Sequence, residues 1–133
     1  MRCFVYFNLN KQCLSVRATS GSERGRVIAH ANALLLESVT FKVSEAGRQR
    51  VIRERSKNVH AGLVGELVKC CLFGEARDYE LEILRQRAVA LDAPAVTYDP
   101  YKYATFVCVR DHTPILEARR VLVFGKKVFL LPE

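Results

Sequence analysis

The sequence predicts an α+β fold: a mostly antiparallel sheet with an N-terminal and a C-terminal hairpin and one or two central helices. Three observations predict it. Runs rich in aromatic and β-branched residues crowd both ends of the chain. Helical spacing of apolar residues is confined to the middle. The two kinds of run do not alternate as βαβ units, so a parallel, doubly wound sheet is not expected. A length of 133 residues suits a single domain over 1–133 with one real core.

The elements follow in chain order. Arg2 to Phe7 is strand-like, Asn8 to Lys11 supplies turn residues, and Gln12 to Arg17 alternates polar and apolar, with Cys13 out of phase with Leu14 and Val16. This is the opening hairpin. Thr19 to Gly25 is a loop by composition. Arg26 to His30 resumes a strand, and Leu34 to Val43 gives one or two more. Ser44 then caps a helix from Glu45 to Glu54, because its hydroxyl can accept from the free N–H groups of the first turn. Gly47 weakens that helix by about 1 kcal/mol relative to alanine. Asn58 to Gly65 returns to strand or loop character. Between Glu75 and Leu91 two patterns compete. Leu81, Leu84, Ala88 and Leu91 follow helical spacing, whereas Tyr79, Leu81 and Ile83 alternate. A helix stopping before Pro94 is the expectation, since the residue before proline avoids helical dihedrals. Val96–Tyr98 and Thr105–Val109 read as strands around an Asp99-Pro100 turn. Arg120–Phe124 and Lys127–Leu131 flank Gly125-Lys126 as the closing hairpin.

Composition narrows the function classes. Half the residues are apolar and 26% are charged, ordinary for a soluble protein. The apolar stretch near Ala31 to Leu36 is far too short to span a bilayer, and the N-terminus does not read as a secretory signal. A cytoplasmic protein without membrane partners is expected. The net charge of +7 favours polyanions or phosphorylated small molecules. The five cysteines are odd in number and contain no C-x-x-C, so neither a disulfide framework nor a zinc ribbon is expected. Cys3, Cys13 and Cys108 sit in strand-like runs and read as buried thiols. No metal and no cofactor is expected.

Two segments can carry chemistry. The first is the basic helix and its exit: Arg48, Arg50, Arg53, Arg55, Lys57, Asn58 and His60. Guanidinium forks match phosphate oxygens. Helical geometry puts Arg50 and Arg53 on one face and Arg48 and Arg55 on the next. The plain alternative is a solvated flank with an Arg50–Glu54 pair, and for His60 a buried structural histidine. The second segment is Tyr98-Asp99-Pro100-Tyr101-Lys102-Tyr103. Phenol rings offer flat faces for a base and hydroxyls for ribose or phosphate. Its plain alternative is a tyrosine-rich turn packed on the sheet edge. Catalytic motifs are missing: there is no phosphate loop, dinucleotide fingerprint, zincin helix or nucleophile elbow. A Cys–His pair, from Cys3 or Cys70 with His60 or His112, has no local support. His30 reads as structural.

The stretches Phe4–Lys11, Lys42–Val51, Arg55–Ala61 and Tyr98–Tyr103 are together similar to small phage proteins. They resemble the first Thoeris anti-defence family, the phage sponges for cyclic ADP-ribose signals. The resemblance spans most of the chain. It implies a non-enzymatic protein in the host cytoplasm that sequesters a cyclic ADP-ribose isomer, with cyclic oligonucleotides as further ligands. It also implies a dimer-based homo-oligomer, up to a hexamer, with pockets between subunits. Two departures stand out. Asp99 replaces the asparagine expected in Tyr-Asn-Pro, and Glu66 to Asp92 is longer than expected.

On this reading Arg48, Arg55 and Lys57 contact a pyrophosphate. Asn58, His60 and Asp99 read ribose or base edges, and Tyr98, Tyr101 or Tyr103 stacks on the base beside Lys102. The rival reading is a small basic DNA- or RNA-binding protein using the same arginines. A host-protein inhibitor and an enzyme working through His60 and His112 rank behind it. The leading reading requires that the helix exit and the tyrosine bend meet in space.

Overall fold

Alternation fixes the first two strands. In β1 (Arg2–Asn8), Cys3 and Val5 are buried while Phe4 and Tyr6 on the opposite face stay half-buried. β1 pairs antiparallel with β2 (Cys13–Ala18), placing Phe4 opposite Arg17 and Tyr6 opposite Ser15. In β2 the four residues Cys13 to Val16 are all buried, and Arg17 beyond them is half-buried. The computed structural model describes residues 1–132.

The long strand β3 (Val27–Val43) organises the molecule. One or two strands were expected over Leu34 to Val43 and a separate one over Arg26 to His30; the structure runs them together as 17 residues. Register shifts after Ala31, after Leu35 and after Glu37, with a positive φ of 51° at Ser38, let this strand bend without ending. β4 (Ala61–Leu72) lies along one edge of β3 from Ala31 to Val43 and carries β1 on its own far edge. The other edge of β3 is shared. β2 occupies it up to Ala31, and β7 (Glu117–Phe124) takes it from Ala33 to Thr40. Strands β1 to β4 thus close into a ring. Beyond β7 the sheet continues through β8 (Lys127–Leu130), β5 (Ala95–Thr97) and β6 (Val107–Cys108). All eight strands pair antiparallel, so the fold is α+β as the sequence predicts.

Two helices complete it. In α1 (Glu45–Glu54), Ser44 accepts from the Gly47 N–H at 3.2 Å, as predicted. Gly47 has a further reason to be glycine: an added Cβ would lie 2.6 Å from the His60 Cβ, so the helix rests directly on the start of β4. In α2 (Tyr79–Ala90), Asp78 caps the Leu81 N–H. Helical spacing wins over alternation because Leu81, Leu84 and Ala88 all face Ala33, Leu35, Leu122 and Phe129 across the sheet. Leu91, expected on that face, is exposed. The run Ala33 to Leu36 is buried throughout, with Leu34 and Leu36 in the ring-side core and Ala33 and Leu35 under α2.

Two boundaries and one burial need correction. β4 extends to Leu72, beyond the Gly65 expected, because β3 pairs with it along that whole length. β6 keeps only two of the five residues expected over Thr105 to Val109, since Val107 and Cys108 alone find β5. Cys108 is accordingly half-buried, not sequestered like Cys3 and Cys13. No helix among the described residues is long and apolar enough to cross a membrane.

Candidate functional site

The helix exit and the tyrosine bend meet. α1 ends at Arg55, whose left-handed φ of 56° turns the chain and whose N–H donates to the Val51 carbonyl. The chain then crosses Lys57 and Asn58 and enters β4 after His60. The Ser44 N–H donates to the His60 carbonyl at 2.7 Å and locks the helix start against this corner. Opposite, the chain leaves β5 through Tyr98 and folds the bend. Asp99 shapes it: its carboxylate accepts from the Tyr101 N–H at 2.9 Å, and its carbonyl accepts from the Lys102 and Tyr103 N–H groups. This is the Asx turn that aspartate and asparagine both make.

Three contacts join the segments. His60 Nε2 lies 2.7 Å from the Tyr98 hydroxyl, while its Nδ1 lies 2.9 Å from the Asn58 carbonyl. A carbonyl only accepts, so Nδ1 carries the proton there, and in the neutral ring Nε2 accepts from the phenol. Burial pushes the Tyr98 phenol up to about 12, keeping it protonated for that bond, against the pull of the Arg48 charge. Arg48 Nε donates to the Pro100 carbonyl at 3.0 Å, and its Nη1 pairs with Glu45 at 2.9 Å. The Arg55 guanidinium sits 5.5 Å from the centre of the Tyr101 ring. As helical geometry predicts, Arg48 and Arg55 both face the bend. Below lies the core, since Tyr98 packs on Phe106 and Phe106 on Phe41.

The predicted residues therefore separate into roles. Arg48, His60, Tyr98 and Asp99 spend their polar groups holding the corner together. Arg55, Lys57, Asn58, Tyr101 and Lys102 are exposed along its rim. Tyr103 turns away and packs against His112, 5.7 Å between ring centres. Sequence reasoning missed Glu45, whose carboxyl is held below its ordinary range by a hydrogen bond from Gln49 and by Arg48. The spacing of Glu45 three residues before Arg48 was the available signal. It also missed Phe106, the floor of the site.

The other chemical candidates fare differently. Burial pushes the Cys3 thiol up to about 11 and raises the Cys70 thiol as well, so neither is poised as a thiolate. Cys70 and Cys71 point to opposite faces of β4, toward the ring-side core and the α2 side respectively. Among the described residues, no group of three or more His, Cys, Asp or Glu side chains is placed to hold a metal ion. His60 and His112 pack on different tyrosines.

Comparison with known proteins adds the family. No solved structure matches the chain. The Gene 82 protein of Mycobacterium phage L5 is 38% identical over 127 residues, covering 91% of this chain and 88% of the relative. The family model described as the Mycobacterium phage L5 gene 82 protein matches residues 1–131. With almost the whole length matched by both comparisons, the chain belongs to the Mycobacterium phage L5 gene 82 protein family.

Proposed function

We propose that this phage-family protein binds an anionic nucleotide at the corner between α1 and the Asp99-Pro100 bend, and holds it without cleaving it. The observation that carries the reading is the Arg55 guanidinium over the exposed Tyr101 ring, with the exposed Lys57 and Lys102 close by in the chain. A planar cation on a phenol face beside two ammonium groups suits a phosphate next to a base. The interior of the corner is already hydrogen-bonded to itself, so Arg48 and His60 act as positioning residues and Arg55, Lys57, Tyr101 and Lys102 meet the ligand. The exposed residues assigned to the ligand are three cations and a ring face, a set suited to holding an anion.

The resemblance to the Thoeris anti-defence family names the first ligand to try, a cyclic ADP-ribose isomer, with cyclic oligonucleotides next. The rim is open in a single subunit, and tight retention needs enclosure. A second copy closing over the rim, in a dimer-based assembly, would supply it. Isothermal titration with cyclic ADP-ribose isomers, paired with native mass spectrometry, tests ligand and subunit count together. Heat of binding with ligand recovered unchanged supports the proposal, and Arg55→Ala is expected to weaken binding about tenfold or more through loss of a charge-assisted contact. Silence toward every isomer and every cyclic oligonucleotide would remove it. The rival nucleic-acid reading is favoured by a different face of the molecule.

A further inference from the structure

The outer face of β1, β2 and the start of β3 bears residues unlike those of an ordinary solvated sheet. Phe4 and Tyr6 occupy successive outward positions on β1, their ring centres 5.8 Å apart. Arg17 faces them from β2, with its guanidinium 5.8 Å from the Phe4 ring and 5.3 Å from the Tyr6 ring. Among the described residues this guanidinium has ring contacts but no hydrogen-bond acceptor, and its Nε is buried without a partner. Buried donors normally find acceptors. Here two rings fix the cation while its donors remain unused.

Two further observations show that the face is built. The Phe4 ring lies across Gly62 of β4, where an added Cβ would come within 2.6 Å of the ring and 2.5 Å of the Val5 carbonyl. Glycine thus makes room for the ring on the sheet. Beside Tyr6, a polar chain crosses three strands. Asn8 uses its carbonyl oxygen on the Asn10 and Lys11 N–H groups, so its Nδ2 donates to Ser15 Oγ at 3.1 Å. Ser15 Oγ lies 3.2 Å from His30 Nδ1. If the hydroxyl proton goes to Nδ1, the neutral imidazole keeps an N–H at Nε2. The neighbouring Glu66 is already paired with the N-terminal ammonium at 2.8 Å.

We propose that this face is a second binding site, which takes single-stranded nucleic acid, with bases on Phe4 and Tyr6 and a phosphate on Arg17. Rings on alternate positions of one strand offer successive stacking surfaces, and the cation between them meets the intervening backbone. The chain's +7 charge complements a polyanion. Duplex is disfavoured because paired bases hide the faces these rings would stack on. The proposal does not rest on the corner at α1, whose ligand binding can fail or succeed independently.

The test uses the full-length protein and short labelled oligonucleotides of mixed sequence: single-stranded RNA, single-stranded DNA and the matching duplex. Fluorescence anisotropy is expected to show single strands bound more tightly than duplex. Tyr6→Leu is expected to weaken binding about tenfold. Arg17→Gln is expected to lower the slope of log affinity against log salt by about 0.7, the value for one phosphate contact on a single strand. Arg87→Gln, at an exposed position in the last turn of α2, is expected to leave single-strand affinity unchanged. Because a variant in the ring can fail to fold, photocrosslinking of the wild-type protein to a thiouridine-bearing strand gives a second readout, with crosslinks expected within residues 2–8. No binding at low salt, duplex bound as well as single strand, or crosslinks confined to residues 48–60 and 98–103 would overturn the proposal. The RNA and DNA arms then tell which strand is preferred.

Discussion

Gly47 shows how a single residue reverses a local rule. Helix propensity says that alanine there would stabilise α1 by about 1 kcal/mol. The contact with His60 says the opposite, because a Cβ 2.6 Å from another Cβ forces the helix off β4. Gly47→Ala is therefore expected to destabilise the protein, by about 1–3 kcal/mol as overpacking does, in chemical denaturation. A gain in stability would show that the helix can shift cheaply. Tyr98 carries the second residue-level prediction. Folding raises its pKa from 10.0 to about 12, so its contribution is complete below pH 10 and is lost as pH rises toward 12. Cys3, raised from 9.0 to about 11, acts in the same sense over a slightly lower window. Alkaline unfolding curves of Tyr98→Phe are expected to be flatter between pH 10 and 12 than those of the wild type. Curves with the wild-type slope would show that the phenol does not titrate with unfolding. The sequence made His60 and Tyr98 visible as residue types, but not their 2.7 Å bond, which depends on two positions 38 apart in sequence returning to one place.

At the scale of elements, caps and turns were legible because their causes are local. Ser44 starts α1 as read, and Asp99 folds the bend by bonding its own neighbours, whereas the Asp78 cap of α2 went unread amid the competing patterns there. Ser44→Ala is expected to cost about 1 kcal/mol, measured as a lower denaturation midpoint with unchanged slope. The length of β3 was not legible. Its bulges after Ala31, Leu35 and Glu37 break the alternation that marks a strand, and only β4 on its far edge keeps it continuous. The same cause hid the second half of β4. The face of Phe4, Tyr6 and Arg17 was missed for another reason: these residues are separated by a turn, and only the register of β1 against β2 sets them opposite.

Across the whole molecule, β3 is a wall common to two cores. Leu34 and Leu36 face one and Leu35 faces the other. Leu122, fully buried on the α2 side, has no room to relax. Leu122→Ala is expected to lose about 2–5 kcal/mol, in keeping with a rigidly walled cavity, as read by thermal or denaturant unfolding. A loss below 1 kcal/mol would mean that α2 sinks to fill the space. The corner at α1 hangs from the end of β3 at Val43, and the aromatic face holds the start of β3 at His30. The ring closure has its own consequence for behaviour at high concentration. A sheet usually has two rims on which a stranger's backbone can crystallise into a growing ribbon. Here one end of the strand order bites its own tail, and the other stops at β6, too brief at two residues to template anything. In concentrated solution that shape removes the commonest route from folded sheet to fibre.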